Sequence, residues 1–203
     1  GLKYATGRWL LFCDSDDILY IERLENLLNQ KEESAGILVC SYEKQNRSIE
    51  QFDAKDIFDI IFELGNWRII YSQEVWKNLS FPSLRLGEDY VYFGRAMTKN
   101  PEINYSDVVI YKYFLDIPGQ LTKGFDIDSL NLAQKELAFL GGRYRNAPVI
   151  NLLALRLSLT LAKHWKLRGV LKILLLIIRI SCSPKSSKLL FLAISKYLNW
   201  AFS

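Results

Sequence analysis

Arg8-Trp-Leu-Leu-Phe-Cys-Asp-Ser-Asp-Asp17 is the stretch whose reading decides the fold. The apolar run Trp9 to Cys13 predicts a short buried strand, and it stops abruptly at Asp14, Asp16 and Asp17. In open α/β sheets, ligands sit outside the carboxyl ends of strands, which is where these acids fall. Asp14 and Asp16 stand two residues apart, and their hard carboxylate oxygens, with water and phosphate oxygens, suit Mn2+ or Mg2+. The same residues also read as a solvated acidic turn in which Asp17 caps the next helix. A calcium-binding helix-loop-helix is excluded, because Ile18 stands where that loop needs glycine.

Working outward, Leu2 to Thr6 reads as a helix end and Gly7 as a turn. Leu24, Leu27 and Leu28 give helical spacing to Ile21–Lys31, and Ile37 to Tyr42 is a branched, strand-forming run. Asp53 is positioned to cap a helix with Ile57, Ile60, Ile61 and Leu64 on one face and Gly65 as its stop. Trp67 to Tyr71 predicts a strand, with Ser72 capping a helix at Val75 to Leu79. Gly87-Glu88-Asp89 opens a helix from about Tyr90 to Thr98 that Asn100-Pro101 ends. Ile103–Tyr105 and Val108–Tyr113 read as strands, Pro118-Gly119 as a turn, and 126–140 as a helix.

The chain has 203 residues, half of them hydrophobic, which is enough for a real core and excludes a disordered or disulfide-built protein. Cys13, Cys40 and Cys182 are too scattered for a disulfide framework or a zinc pair. His164 is the single histidine, which excludes multi-histidine metal sites, and its basic, apolar setting far from the acidic motifs argues against a serine–histidine or cysteine–histidine device. The chemistry left is carboxylate chemistry.

Charge divides the chain. Residues 1–136 hold all 22 acids and 15 of the bases, a balance of −7, whereas 137–203 hold 11 bases and no acid. Within that basic part, 149–163, 170–181 and 186–202 are leucine-rich helical stretches, each too short between charges to span a bilayer. Arg168, Lys172 and Arg179 beside Trp165, Tyr197 and Trp200 suit an anionic membrane surface; bases set among leucines do not suit nucleic acid. Ordinary packing of these helices on the body is the competing reading.

The segment Gly1-Leu-Lys-Tyr-Ala-Thr-Gly-Arg-Trp-Leu-Leu-Phe-Cys-Asp-Ser-Asp-Asp-Ile-Leu19 resembles family 2 glycosyltransferases: a helix end with Ala-x-Gly, an apolar strand, then Asp-x-Asp. Phe81-Pro82 followed by Gly87-Glu88-Asp89, and the strand with Tyr111 and Tyr113, resemble that family's later motifs, so the resemblance covers about residues 1–125. It implies a GT-A-like α/β fold, a mixed sheet flanked by helices, over 1–136, with a basic helical tail over 137–203. The family's first, nucleotide-binding strands have no counterpart here, so the chain reads as incomplete at its N-terminus.

The resemblance further implies roles. Asp14 contacts the nucleotide-sugar donor, Asp16 holds the cation at its diphosphate, Asp89 is the general base and Glu88 orients the acceptor or the base. Trp67 lines the acceptor site by stacking on a sugar, or is a core residue. Lys123, with Gln120, reaches the diphosphate from a loop, or is solvated. The implied reaction is an inverting sugar transfer to a saccharide or lipid-linked acceptor, in cell-surface polysaccharide synthesis at the cytoplasmic face of a bacterial membrane. Two other classes stay open. One is a dehalogenase-type phosphatase, whose opening strand and Asp-x-Asp the first segment also resembles. The other is a non-catalytic, membrane-associated protein.

Overall fold

Ile37 to Tyr42 carries no alternation of apolar and polar residues, and the fold gives the reason. In a computed structural model the structure describes residues 1–30, 36–46, 48–115, 126–144 and 148–164. The third strand of the sheet, β3 (Ile37–Gln45), is paired along both edges and buried on both faces from Ile37 to Tyr42. Such a strand needs apolar side chains on either side. Each Ile, Leu or Val fully buried there contributes about 1.5–3 kcal/mol.

Among the described residues six strands form one sheet, ordered β1 (Trp9–Leu10), β5 (Ile69–Ser72), β3, β6 (Ile103–Phe114) and β2 (Ile18–Leu19), with β4 (Ile49–Phe52) beside the outer half of β3. The β3–β6 pair is parallel and the other pairs are antiparallel, so the sheet is mixed. The two strands expected at 103–105 and 108–113 are one strand with a bulge. Cys40 pairs with Ser106, but Ser41 pairs with Val109. Hydroxyls take up the backbone groups this frees: Ser41 Oγ donates to Ser106 O at 3.1 Å and Ser106 Oγ accepts from the Val108 N–H at 3.2 Å, while Ser41 Oγ also accepts from the Ala54 N–H at 3.0 Å.

Helix α1 (Ile21–Asn29) lays Leu24, Leu27 and Leu28 on a core of Leu38, Cys40, Tyr42, Ile70, Ile110 and Tyr111. Asp56, not Asp53, caps α2 (Ile57–Phe62). Its Oδ1 accepts from the Phe58 and Asp59 N–H groups while Asp59 Oδ2 accepts from the Asp56 N–H, a reciprocal capping box. Asp53 instead pairs with Lys55 at 2.9 Å. Trp67 lies in a 3-10 turn, Asn66–Arg68, ahead of β5. A side chain at Gly65 would collide with the indole of Trp67, so glycine is required where the turn begins. Ser72 precedes α3 (Gln73–Trp76) without a side-chain cap bond.

Contacts divide the chain into two compact units, Gly1–Ser80 with Lys99–Phe125, and Phe81–Thr98 with Asp126–Ser203. The sheet belongs to the first. The second contains α4 (Glu88–Met97), α5 (Ile127–Arg143) and α6 (Pro148–His164). α5 runs unbroken through the point where the last acid, Glu136, gives way to the basic part. Its Leu137 fills the space that a side chain at Gly94 of α4 would occupy, and Arg95 donates to Glu136 at 2.7 Å. α6, the first of the leucine-rich stretches, buries Ile150, Leu153, Ala154, Leu157 and Leu161. No helix among the described residues is long and apolar enough to cross a membrane. The stretches at 170–181 and 186–202, with Trp165, Arg168, Lys172, Arg179, Tyr197 and Trp200, lie outside the described residues.

Asp126 caps α5 by accepting from the Ser129 N–H at 3.0 Å and from its hydroxyl at 2.8 Å. These bonds, with a smaller contribution from Arg85, hold its carboxyl below the ordinary aspartate range. A depressed folded-state value means stability that is present above the unfolded pKa and lost as pH falls through the folded one. Asp126→Ala is expected to lower the Tm at pH 7, and the gap to the wild type should shrink below about pH 4. A gap constant with pH in thermal melts would contradict the charged cap.

Candidate functional site

β1 and β2 lie at opposite edges of the sheet, so the residues between them must cross its end. Four inter-strand spacings are roughly 19 Å. The eight steps from Leu10 to Ile18 reach at most about 29 Å fully extended. The acids Asp14, Asp16 and Asp17 occupy the last part of this crossing, which is therefore anchored at both ends by the sheet.

The crossing is tied down at β6. Asp17 N–H donates to Asp14 O at 3.3 Å, closing a turn over the four residues. The Tyr111 hydroxyl accepts from the Asp14 N–H and donates to Asp17 Oδ2, both at 2.9 Å. Asp17 Oδ1 accepts from the Phe114 N–H at 2.9 Å. Asp17 thus spends both oxygens on β6 and does not cap α1, whose N-cap is Tyr20 with no side-chain bond. The carboxylates left for a ligand are those of Asp14 and Asp16, both exposed.

Their electrostatics follow from crowding. Protein packed around Asp14 raises its carboxyl above the ordinary range, and the charges of Asp17 and then Asp16 add to this. Asp17 is also raised by burial, although its bonds from Phe114 and Tyr111 oppose the shift. Burial, with the Asp17 carboxylate, drives the Tyr111 phenol far upward, so it stays a proton donor. Among the described residues no group of three or more His, Cys, Asp and Glu side chains is gathered for a metal. Two exposed carboxylates on one turn fit a Mn2+ or Mg2+ ion that takes its remaining oxygens from water and a diphosphate. Cys13, exposed beside them, points its thiol at Asp14 O.

Behind the turn stands a stack of rings. Trp67 is half-buried and lies nearly parallel to Tyr111 (centroids 4.9 Å apart) and Tyr113 (5.3 Å), with Tyr42 edge-on at 4.6 Å and Phe52 stacked on Tyr42 at 5.0 Å. The signal that could have found Tyr111 was its place two residues before Tyr113 on a strand. The partner of its hydroxyl was not visible, because 94 residues separate it from Asp17.

Glu88 and Asp89 form the first turn of α4, in the second unit, where acids favour the helix dipole. Gly87 before them has φ 83°, and a side chain there would press on Ala133 at 3.0 Å. Glycine therefore sets where the helix begins, and with it where the two acids stand. Lys123 and Gln120 lie outside the described residues.

Because Asp14 carries its charge at a cost, Asp14→Asn should raise the Tm of the chain at pH 7 in metal-free buffer, by on the order of 2 °C. A fall in calorimetry would show that the carboxylate stabilises the turn instead.

Comparison with known proteins adds one match. The family model described as Glycosyl transferase family 2 covers residues 1–86, which contain the acidic turn, α1, β3 and the Trp67 turn. No curated protein matches the chain. The mixed sheet flanked by helices agrees with a GT-A-like α/β fold. Residues 1–86 are thus similar to family 2 of the glycosyltransferases, consistent with a fragment of such an enzyme.

Proposed function

We propose that this glycosyltransferase chain serves an inverting transfer of a sugar from a nucleotide-diphosphate sugar to the hydroxyl of a saccharide or lipid-linked acceptor, in cell-surface polysaccharide synthesis. The observation that carries the reading is the acidic turn. Asp17 and Tyr111 hold it across the end of the sheet while Asp14 and Asp16 keep exposed carboxylates. Asp16, with Asp14, would hold Mn2+ or Mg2+. Such an ion neutralises a diphosphate and makes it a better leaving group. Asp14 also orients the donor through its ribose.

Asp89 is the general base in this reading. It takes the proton of the acceptor hydroxyl as that oxygen attacks the anomeric carbon. The bond from that carbon to the diphosphate oxygen breaks on the opposite face, and the anomeric centre inverts. Glu88, its neighbour in the same helical turn, orients the acceptor or the base. Trp67 borders the acceptor, and Lys123 contacts the diphosphate. The basic stretch 149–203 meets an anionic membrane at its cytoplasmic face through the part beyond α6, since α6 already buries its own apolar side chains.

With a nucleotide sugar, Mn2+ and an acceptor glycan, Asp89→Ala should lower kcat by roughly 10²–10⁴-fold. Asp16→Ala should abolish the transfer that Mn2+ stimulates, and NMR of the wild-type product should show the inverted anomer. Transfer undiminished in Asp89→Ala would remove that residue from catalysis. In sedimentation assays the chain should bind anionic vesicles but not neutral ones, and lose that binding as salt rises. Failure to sediment with either vesicle would end the membrane assignment.

A further inference from the structure

The Tyr111 phenol is completely buried, yet its oxygen is the meeting point of two ends of the acidic turn. A phenol has one proton and accepts through its oxygen. Here the proton goes to Asp17 and the oxygen receives the Asp14 N–H, so one atom fixes the distance between the first and last residues of Asp14–Asp17. The ring cannot swing away, because Trp67 stacks on it and Tyr42 meets Trp67 edge-on from β3. Asp17 is held a second time by the Phe114 N–H of the same strand. The arrangement ties up the one carboxylate that would otherwise compete for a ligand and leaves the other two facing solvent.

We infer that Tyr111 is a positioning residue for the Asp14–Asp16 carboxylates, acting through the Asp14 backbone and Asp17, with Trp67 as its support; this rests on the proposed role of that turn in holding the donor's cation. Groups that orient metal ligands without touching the metal typically change its affinity 10–100-fold when removed. Tyr111→Phe keeps the ring and its stack but removes the hydroxyl, so the turn loosens while the core remains.

The test uses the full chain and Mn2+ alone, with binding measured by titration calorimetry and amide hydrogen exchange followed over residues 13–17. Tyr111→Phe should weaken Mn2+ binding by about tenfold and speed exchange of the Asp14 amide by a similar factor. The Tm should stay within about 3 °C of the wild type. Asp17→Ala leaves the buried ring untouched and should give at least the same loss. The double variant should lose less than the two single losses combined, because the Tyr111–Asp17 bond is common to both. Wild-type Mn2+ affinity and exchange in Tyr111→Phe would overturn the positioning role while leaving the site's assignment standing. A wild-type chain that binds no Mn2+, with Asp16→Ala indistinguishable from it, would overturn the assignment and the positioning role together.

Discussion

The parallel pairing of β3 with β6 is the constraint on which the rest of the first unit depends. It sets Tyr42 opposite Tyr111 only because the register shifts twice, between Cys40 and Ser41 and again between Ser41 and Tyr42; a regular ladder would put a different residue there. With Tyr111 in that place, its ring can rest on Trp67 and its hydroxyl can reach the end of the sheet. The bulge itself is stable because Ser41 and Ser106 supply the hydrogen bonds that the interrupted ladder gives up. Two buried serines in a strand pair therefore bear on the geometry of an acidic turn far from them in the chain.

That turn illustrates how a sheet places chemistry. β1 and β2 are only two residues each, too short to be stable alone, and each is held at an edge by its antiparallel partner. Their separation forces the chain across the strand ends. Three acids set close together repel one another, and the fold reduces this by giving Asp17 two donors while leaving Asp14 and Asp16 to solvent. The carboxyl of Asp14 stays raised, first by burial and then by the charges of Asp17 and Asp16, and a bound cation would offset that cost.

The second unit is built on a different rule. Gly94 lets Leu137 of α5 approach the backbone of α4, and Gly141 lies where a side chain would collide with Asn151 of α6. Small residues at helix crossings bring the axes close, and the leucines of α6 then fill the remaining space. A leucine-rich segment that reads as a membrane-facing helix is thus, as far as Leu161, a core helix. Its low amphipathicity has a simple cause: it is buried around much of its circumference.

Much of this was legible in the residues. The leucine spacing of α1, the branched run of β3 and the glycine before Glu88 each rest on local chemistry, which sequence displays directly; the buried strand expected from Trp9 to Cys13 is only Trp9–Leu10, half-buried at the sheet edge, because it pairs with β5 alone. Asp53 is not the cap: Asp53 and Asp56 are equivalent by residue type and each has an aspartate three residues on, so the choice follows from where the chain turns into the helix, at Asp56 with Asp59 completing the box. β2 and β4 were illegible because short edge strands exist through their partners rather than their own propensity. The amino-acid sequence by itself determined that the chemistry is carboxylate-based, that acids precede residue 137 and bases alone follow it, and where each acidic motif falls. Only the tertiary structure decided which of Asp14, Asp16 and Asp17 remains available, because that depends on a phenol delivered by a strand 94 residues away.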